Sequence, residues 1–342
     1  MENSGLHKSS DLNSTATITA AIEDYLYQKT LSRSNKTAKT YRFGLEHFKV
    51  VLRENSVDPD QASPKALGDL LLFLHFIKHL QEHNLSASTQ KLYTSAVAGF
   101  YKYLAARSLT QVNLYNLDEL IKQHVRRPGQ RLPQFPKDNL EKVIAYAQDL
   151  DRAPVENKRY RRINLRDRAF ILTLADTGLR VHEACDLHRG DVDWNEGRAI
   201  IIGKGNKEAV VRFSDRALSA LKDYLQSRQA LDGATGQQLT ALPLFARHDD
   251  GGEKKVKPMS TETGRNIIKG RVREVLGEKA VGTITPHSFR HYFVTTVLQA
   301  TGGNIHLAQR LARHSNIGIT QRYAHLSDDE LDRGYHDVFN QG

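Results

Sequence analysis

"RAIIIGKGNKEAVVRF", Arg198 to Phe213, decides the fold class. Two β-branched runs flank Gly203-Lys204-Gly205-Asn206-Lys207, the pattern of two antiparallel strands joined by a short, glycine-bearing loop. The other patterned segments repeat their apolar residues every three or four positions, which is helical spacing. The expected fold is therefore mainly α with one small antiparallel β-sheet, an α+β chain. The loop also sets Lys204 at a hairpin tip between two glycines. Such a tip permits close approach to another backbone and offers a mobile proton donor, although a plain solvated turn has the same composition. The spacing is not that of the GxxxxGK[ST] phosphate loop, so the hairpin is not read as a nucleotide site.

Upstream, the first part of the chain reads as four helices. "TATITAAIEDYLYQKTL" carries Ile18, Ile22, Tyr25 and Leu26 at helical spacing. "SNKTAKTYRFGLEHFKVVLRE" has Ser34 or Asn35 as its cap and a stripe of Tyr41, Leu45, Phe48 and Val51. "ALGDLLLFLHFIKHLQEH" follows, then "SASTQKLYTSAVAGFYKYLAA" with Leu92, Ala96, Phe100 and Leu104. Together they predict a helical bundle over residues 15–123, after a polar, disordered tail at 1–14. Two of these helices open on polar, basic turns, Lys36 and Lys39 in one and Gln90 and Lys91 in the other. Free backbone N–H groups at such ends can hold phosphates; ordinary solvated helix ends look alike.

"HVRRPGQRLPQFPKDN", His124 to Asn139, holds three prolines, one glycine and four basic residues, and predicts a linker over residues 124–137. Its charge, Arg126 and Arg127 included, suits a connector lying along a phosphate backbone. A second domain is expected over 138–342. It begins with a capped helix in "DNLEKVIAYAQDL", continues through the basic "ENKRYRRINLRDR" to a helix in "RAFILTLADTGLRVHEACDL", and after the hairpin is helical again.

The 342 residues suffice for two cores, and 39% hydrophobic with 26% charged content is ordinary for a globular protein. The formal charge of +10 lies mostly beyond residue 125 and points to a polyanionic partner, most often nucleic acid. The N-terminal residues lack the apolar core of a signal peptide, and the most apolar run, Leu70 to Leu80, contains His75, Lys78 and His79. No membrane association is expected, and the cytoplasm is the expected compartment. Cys185 is the only cysteine, which excludes an internal disulfide and a cysteine-based zinc site.

Three further stretches carry chemistry. In "TPHSFRHYFVTTVL" Thr285 is a helix cap and Pro286 the first helical residue, so His287 and Arg290 share one face while Phe289, Phe293 and Val297 face a core. In "TGLRVHEACDL" Gly178 marks a helix break, and Glu183 lies three residues after Arg180, within reach of an ion pair. In "LARHSNIGITQRYAHL", Leu311 to Leu326, His314 precedes Tyr323 by nine residues. Singly, each has a bland explanation: a solvated polar face, a surface ion pair worth little, a half-buried aromatic.

Their order is more specific. Arg180, Lys204, His287, Arg290, His314 and Tyr323 follow one another as in the tyrosine site-specific recombinases, and from about residue 15 onward the chain resembles their Xer-like members. The resemblance implies a C-shaped clamp on a double-stranded DNA recombination site, made of a helical, SAM-like core-binding domain and a catalytic domain. It implies that Tyr323 attacks a phosphodiester, leaving a 3′-phosphotyrosyl link and a free 5′-hydroxyl. Arg180 and Arg290 would hold the non-bridging oxygens, His287 would move the tyrosine proton or hydrogen-bond the phosphate, Lys204 would protonate the leaving oxygen, His314 would donate to the phosphate, and Glu183 would orient Arg180. Neither cofactor nor metal is implied. A helix bearing Arg265, Lys269, Arg271 and Arg273 would lie against DNA. Four protomers, of this chain alone or with a related second recombinase, would exchange strands through a Holliday junction. A C-terminal helix from about residue 328 would dock on a neighbouring subunit. A type IB topoisomerase-like enzyme and a non-catalytic DNA-binding protein are the alternatives. One departure stands out: the family usually has glycine just before this histidine, and here the residue is Arg313. A side chain there is expected to shift His314 or to add a DNA contact.

Overall fold

The computed structural model describes residues 17–32, 35–125, 136–155, 157–203, 207–248, 256–314 and 317–324. The chain divides into two compact units, Met1–Gln130 and Arg131–Gly342. The proposed N-terminal tail, most of the linker with Arg126 and Arg127, the hairpin tip with Lys204, and the C-terminal helix lie outside the described residues.

The first unit holds α1 (Ile18–Ser32), α2 (Asn35–Glu54), α3 (Leu71–Glu82), α4 (Ala87–Ala106) and α5 (Leu114–His124). α2 packs against α1, α3 and α4. Between them Tyr25, Phe48, Phe73, Phe76, Phe100 and Tyr101 are almost fully buried; a fully buried Phe stabilises a fold by roughly 1.5–3 kcal/mol. Caps set the boundaries: Ser86 Oγ accepts from the Thr89 N–H at the start of α4, and Asn113 Oδ1 from the Asn116 N–H at the start of α5. Three details differ from the sequence reading. Ser63 caps a short 3-10 turn, Pro64–Leu67, so α3 begins at Leu71 and not with the alanine and glycine before it. Leu92 is exposed, because the buried face of α4 runs through Thr94, Val97, Ala98, Tyr101 and Leu104. The fifth helix, α5, was not anticipated.

The second unit begins with α6 (Lys137–Gln148), α7 (Lys158–Thr177) and α8 (Val181–Asp186). The sheet follows as β1 (Val192–Asp193), β2 (Arg198–Gly203) and β3 (Lys207–Arg212). Then come α9 (Asp215–Ser227), α10 (Gln229–Gly233), α11 (Thr261–Leu276), α12 (Pro286–Ala300), α13 (Ile305–Ala312) and α14 (Ile317–Ala324). The strands are antiparallel in the order β1-β2-β3, with Ile201 opposite Ala209. The two-residue β1 had no sequence signal of its own. α6 is not capped by a side chain; Asp138 lies within its first turn.

α7 is the central element, packed by α6, α9 and α12. It is one helix where the sequence suggested a basic stretch followed by a helix, because Asn157 caps it ahead of the basic run. It is buried almost all round from Leu165 to Thr177. Its inward cations are matched by carboxylates: Arg166 meets Asp167 at 2.7 Å, and Arg168 meets Asp223 at 2.9 Å. Buried charge is tolerated when paired in this way.

α7 ends at Gly178, in the left-handed region at φ 59°, with its N–H donating to the Leu174 carbonyl at 3.2 Å. An added Cβ there would lie 2.5 Å from the Phe293 ring. Gly178→Ala is therefore expected to destabilise the chain by about 2 kcal/mol, combining left-handed strain with overpacking. Gly270, where an added Cβ meets nothing within 4 Å, is the control: Gly270→Ala should leave denaturant unfolding unchanged or raise its midpoint.

Candidate active site

Gly178 turns the chain so that Arg180 becomes the N-cap of α8. Glu183 is then the third residue of that helix and reaches back. Its carboxylate accepts from the Arg180 backbone N–H at 2.8 Å and from the Arg180 guanidinium at 2.7 Å. The spacing that suggested a surface ion pair is in fact a capping contact with one buried partner. Glu183 is 4% exposed and Arg180 42%. The arginine is thus fixed at its base and presented outward. Burial alone would raise the Glu183 carboxyl. The Arg180 hydrogen bonds and the charges of Arg313 and Arg180 outweigh it and hold the group below its usual range.

Pro286 and the Thr285–Ser288 cap start α12 and place His287 and Arg290 in its first turns. Arg290 is 2% exposed. It donates to the Gly178 carbonyl at 2.6 Å, to the Ala312 carbonyl, and through Nε to His314 Nε2 at 3.3 Å. Gly178 therefore has two duties: it turns the chain toward Arg180 and anchors Arg290. His314 follows the turn that closes α13, where its N–H donates to the Gln309 carbonyl.

The protonation of His314 follows from its neighbours. A guanidinium only donates, so Nε2 must be the acceptor, and Nδ1 carries the proton toward Thr320 Oγ1 at 2.8 Å. Burial first, then the charges of Arg290 and Arg180, push its pKa down to about 3. His314 is neutral at physiological pH, and in this arrangement its ring lies between Arg290 and Thr320. Partial desolvation, with Arg290 and Arg180, also lowers His287. His287 is thus a neutral, exposed imidazole able to take up a proton.

Arg313 does shift the picture that the sequence suggested, but inward. Its side chain is 11% exposed and approaches the Gly178 carbonyl and Glu183 Oε2, each at 3.4 Å. Tyr323 lies in the last turn of α14, which packs against α12 and α13; its side chain is outside the described residues. Thr320, on the same helix, is the site residue that the sequence reading missed.

The residues expected to meet DNA separate into groups. Lys39 and Lys91 are exposed and Gln90 half-buried, with its amide donating to the Leu85 carbonyl. Lys36 lies on α2 with its side chain outside the described residues. On α11, Arg265 and Lys269 are exposed one turn apart. Arg271 does not belong with them. It is 8% exposed and its guanidinium is committed to Asp167, Glu274 and Asn164 at 2.7–3.0 Å. It holds α11 to α7, and no DNA contact is assigned to it. Arg273 is exposed but paired with Glu278.

A buried arginine bonded to a neutral histidine and a second arginine held by a buried carboxylate are joined through the Gly178 turn, and the neighbouring α14 carries a tyrosine in its last turn. Residues 135–330 match the model described as Phage integrase family, and residues 22–108 match Phage integrase, N-terminal SAM-like domain. The chain belongs to the phage integrase family and is a tyrosine recombinase, an enzyme that breaks and rejoins DNA. It is similar to the tyrosine recombinase XerD of Chlorobaculum tepidum, 30% identical over 322 residues that cover 93% of this chain and 95% of that protein. Tyrosine recombinase XerC of Bacillus subtilis is 29% identical over 310 residues, 88% of this chain and 90% of the relative. Among solved structures, the XerH site-specific recombinase bound to palindromic difH substrate has a TM-score of 0.65 at 18% identity, covering 96% of this chain and 98% of that one. A lambda integrase dimer bound to a COC′ core site has 0.58 at 15% identity, over 90% and 95%. These likenesses establish the fold.

Proposed function

We propose that Tyr323 is the nucleophile of a site-specific recombination reaction. Its phenolic oxygen attacks the scissile phosphorus, the bond to the 5′-oxygen breaks, and a 3′-phosphotyrosyl link remains. His287 takes the phenolic proton, Lys204 supplies one to the departing 5′-oxygen, and Arg180 and Arg290 hold the two non-bridging oxygens. Rejoining is the reverse attack by a 5′-hydroxyl. The covalent link conserves the phosphodiester energy, so no ATP is consumed.

The observation that carries this reading is the convergence, at one junction of α7, α8, α12 and α13, of Arg180, Arg290 and His314 around Gly178 and Glu183, with His287 near enough for the charges of both arginines to lower its pKa. Forming a phenolate at pH 7 from a pKa near 10 costs about 4 kcal/mol. Two fixed guanidinium groups and a neutral base offset that cost where negative charge accumulates on the phosphate. The bundle at 15–123 and the basic linker at 124–137 would hold the duplex with the catalytic domain, Lys36, Lys39, Gln90, Lys91, Arg126, Arg127, Arg265 and Lys269 contributing contacts. Four protomers on two sites, joined by the C-terminal helices, would pass through a Holliday junction, in the cytoplasm of a bacterial cell.

Selection from a random duplex pool supplies the DNA site, and the same site carrying a nick near the scissile bond traps the intermediate. A covalent protein–DNA band that survives denaturation, forms in EDTA and maps to the Tyr323 peptide is the expected result, because side-chain cations supply the charge that divalent metals supply in many nucleases. An adduct restored only by magnesium, or mapping to another residue, refutes the scheme.

A further inference from the structure

Arg313 occupies a position that suits glycine. It closes α13 in the left-handed region at φ 56° and ψ 43°, where a β-carbon is strained and glycine is the usual residue. Its guanidinium is buried, and its Nε–H has no hydrogen-bond partner among the described residues. Strained backbone, a desolvated cation and an unmatched donor are three costs that glycine would not incur. Strain of this kind points to function.

The contacts supply a reason. Glu183 gives Oε1 to the Arg180 side chain, while Oε2 takes the Arg180 backbone N–H and faces Arg313. The Gly178 carbonyl that anchors Arg290 at 2.6 Å also faces Arg313 at 3.4 Å. One side chain thus touches the supports of both proposed phosphate-binding arginines. It also changes the local charge. Arg180 and Glu183 alone sum to zero; with Arg313 the cluster carries a net positive charge.

We propose that Arg313 is a positioning residue for strand cleavage, tying the Glu183 support of Arg180 to the Gly178 support of Arg290 and offsetting the Glu183 charge so that Arg180 acts on the phosphate as a full cation. The inference rests on the assignment of Arg180 and Arg290 to the scissile phosphate. It predicts an unusual combination in Arg313→Gly. The backbone relaxes, so the melting temperature is unchanged or higher, and DNA affinity is unchanged. Single-turnover cleavage of nicked DNA falls about 10- to 100-fold, the scale on which outer-shell orienting groups act.

Arg313→Lys, which keeps the charge on a side chain without the planar fork, should recover part of that loss. In a Glu183→Gln background, Arg313→Gly should cost several-fold less than in the wild type, because the two act as a unit. Cleavage by Arg313→Gly within about 2-fold of wild type overturns the proposal, as does an equal loss in both backgrounds. A joint fall in melting temperature and DNA affinity makes Arg313 a fold residue and also overturns it. Arg180→Ala separates the layers: if it still cleaves, the phosphate assignment beneath the inference fails; if it is inactive while Arg313→Gly cleaves normally, only the role of Arg313 fails.

Discussion

Tyr323→Phe is expected to bind its DNA site with unchanged affinity, to keep its fold, and to form no covalent adduct. The variant loses one oxygen atom. That atom is the only group on the side chain able to form a bond to phosphorus, so the loss is not graded. Removing the covalent nucleophile of a well-studied hydrolase costs on the order of 10⁶-fold in turnover, and a loss of that order would fall below detection here. Two features make the expectation specific to this tyrosine. α14 packs against α12, the helix of His287 and Arg290, and carries Thr320, the hydrogen-bond partner of His314. The partly desolvated, neutral His287 is also ready to receive the phenolic proton. Quantitative binding by gel shift, together with adduct formation on nicked DNA, measures both halves of the expectation. Wild-type binding without adduct supports it. An adduct at undiminished yield removes Tyr323 from the mechanism. Lost binding would assign the hydroxyl to DNA recognition.

Much of this site was legible because local rules placed it. Thr285 and Pro286 fix the start of a helix, so the common face of His287 and Arg290 follows from spacing alone. The left-handed glycine at 178 and the three-residue step from Arg180 to Glu183 are likewise short-range. What could not be read depends on helices meeting. The chain from Arg290 to His314 to Thr320 joins residues 24 and 6 positions apart, and no periodicity links them. The direction of the Arg313 side chain was equally hidden, since both alternatives weighed for it faced outward or toward His314. Arg271 differs, because a signal was present. It continues the stripe of Gly264, Ile267 and Ile268, all buried, so its inward face follows from helical spacing. Weighing it by charge, as one more cation on a basic helix, overlooked the buried Asp167 that it meets. Arg166 and Arg168 teach the same point: net charge is a poor guide to the DNA surface when part of it is spent inside the core.

Arg290→Lys should cut the cleavage rate about 10²–10³-fold while leaving the charge in place, the loss expected when a preorganised donor set is removed from a developing oxyanion. Arg290 is held at three points, by the carbonyls of Gly178 and Ala312 and by His314. A planar fork serves all three at once, and an ammonium on a flexible stem cannot. Arg290→Lys thus tests geometry. Arg290→Gln tests charge, and has an independent readout. Burial is the first cause of the low His314 pKa and Arg290 the next. Removing the guanidinium should therefore raise that pKa from about 3 without returning it to the ordinary imidazole value, a shift that NMR titration can follow. The sign matters for stability. A histidine whose folded pKa lies below its unfolded value favours the fold when neutral, and that contribution is lost as pH falls below the unfolded value near 6.5, progressively down to the folded one. Wild type should therefore lose stability on acidification across that window, and Arg290→Gln should lose less. Because either variant leaves buried carbonyls short of a donor, melting temperatures must be compared beside the rates. Arg290→Lys that folds, binds DNA and cleaves within about 3-fold of wild type would mean that the fork is not required, and that Arg290 serves the packing of α12 against α7 more than the phosphate.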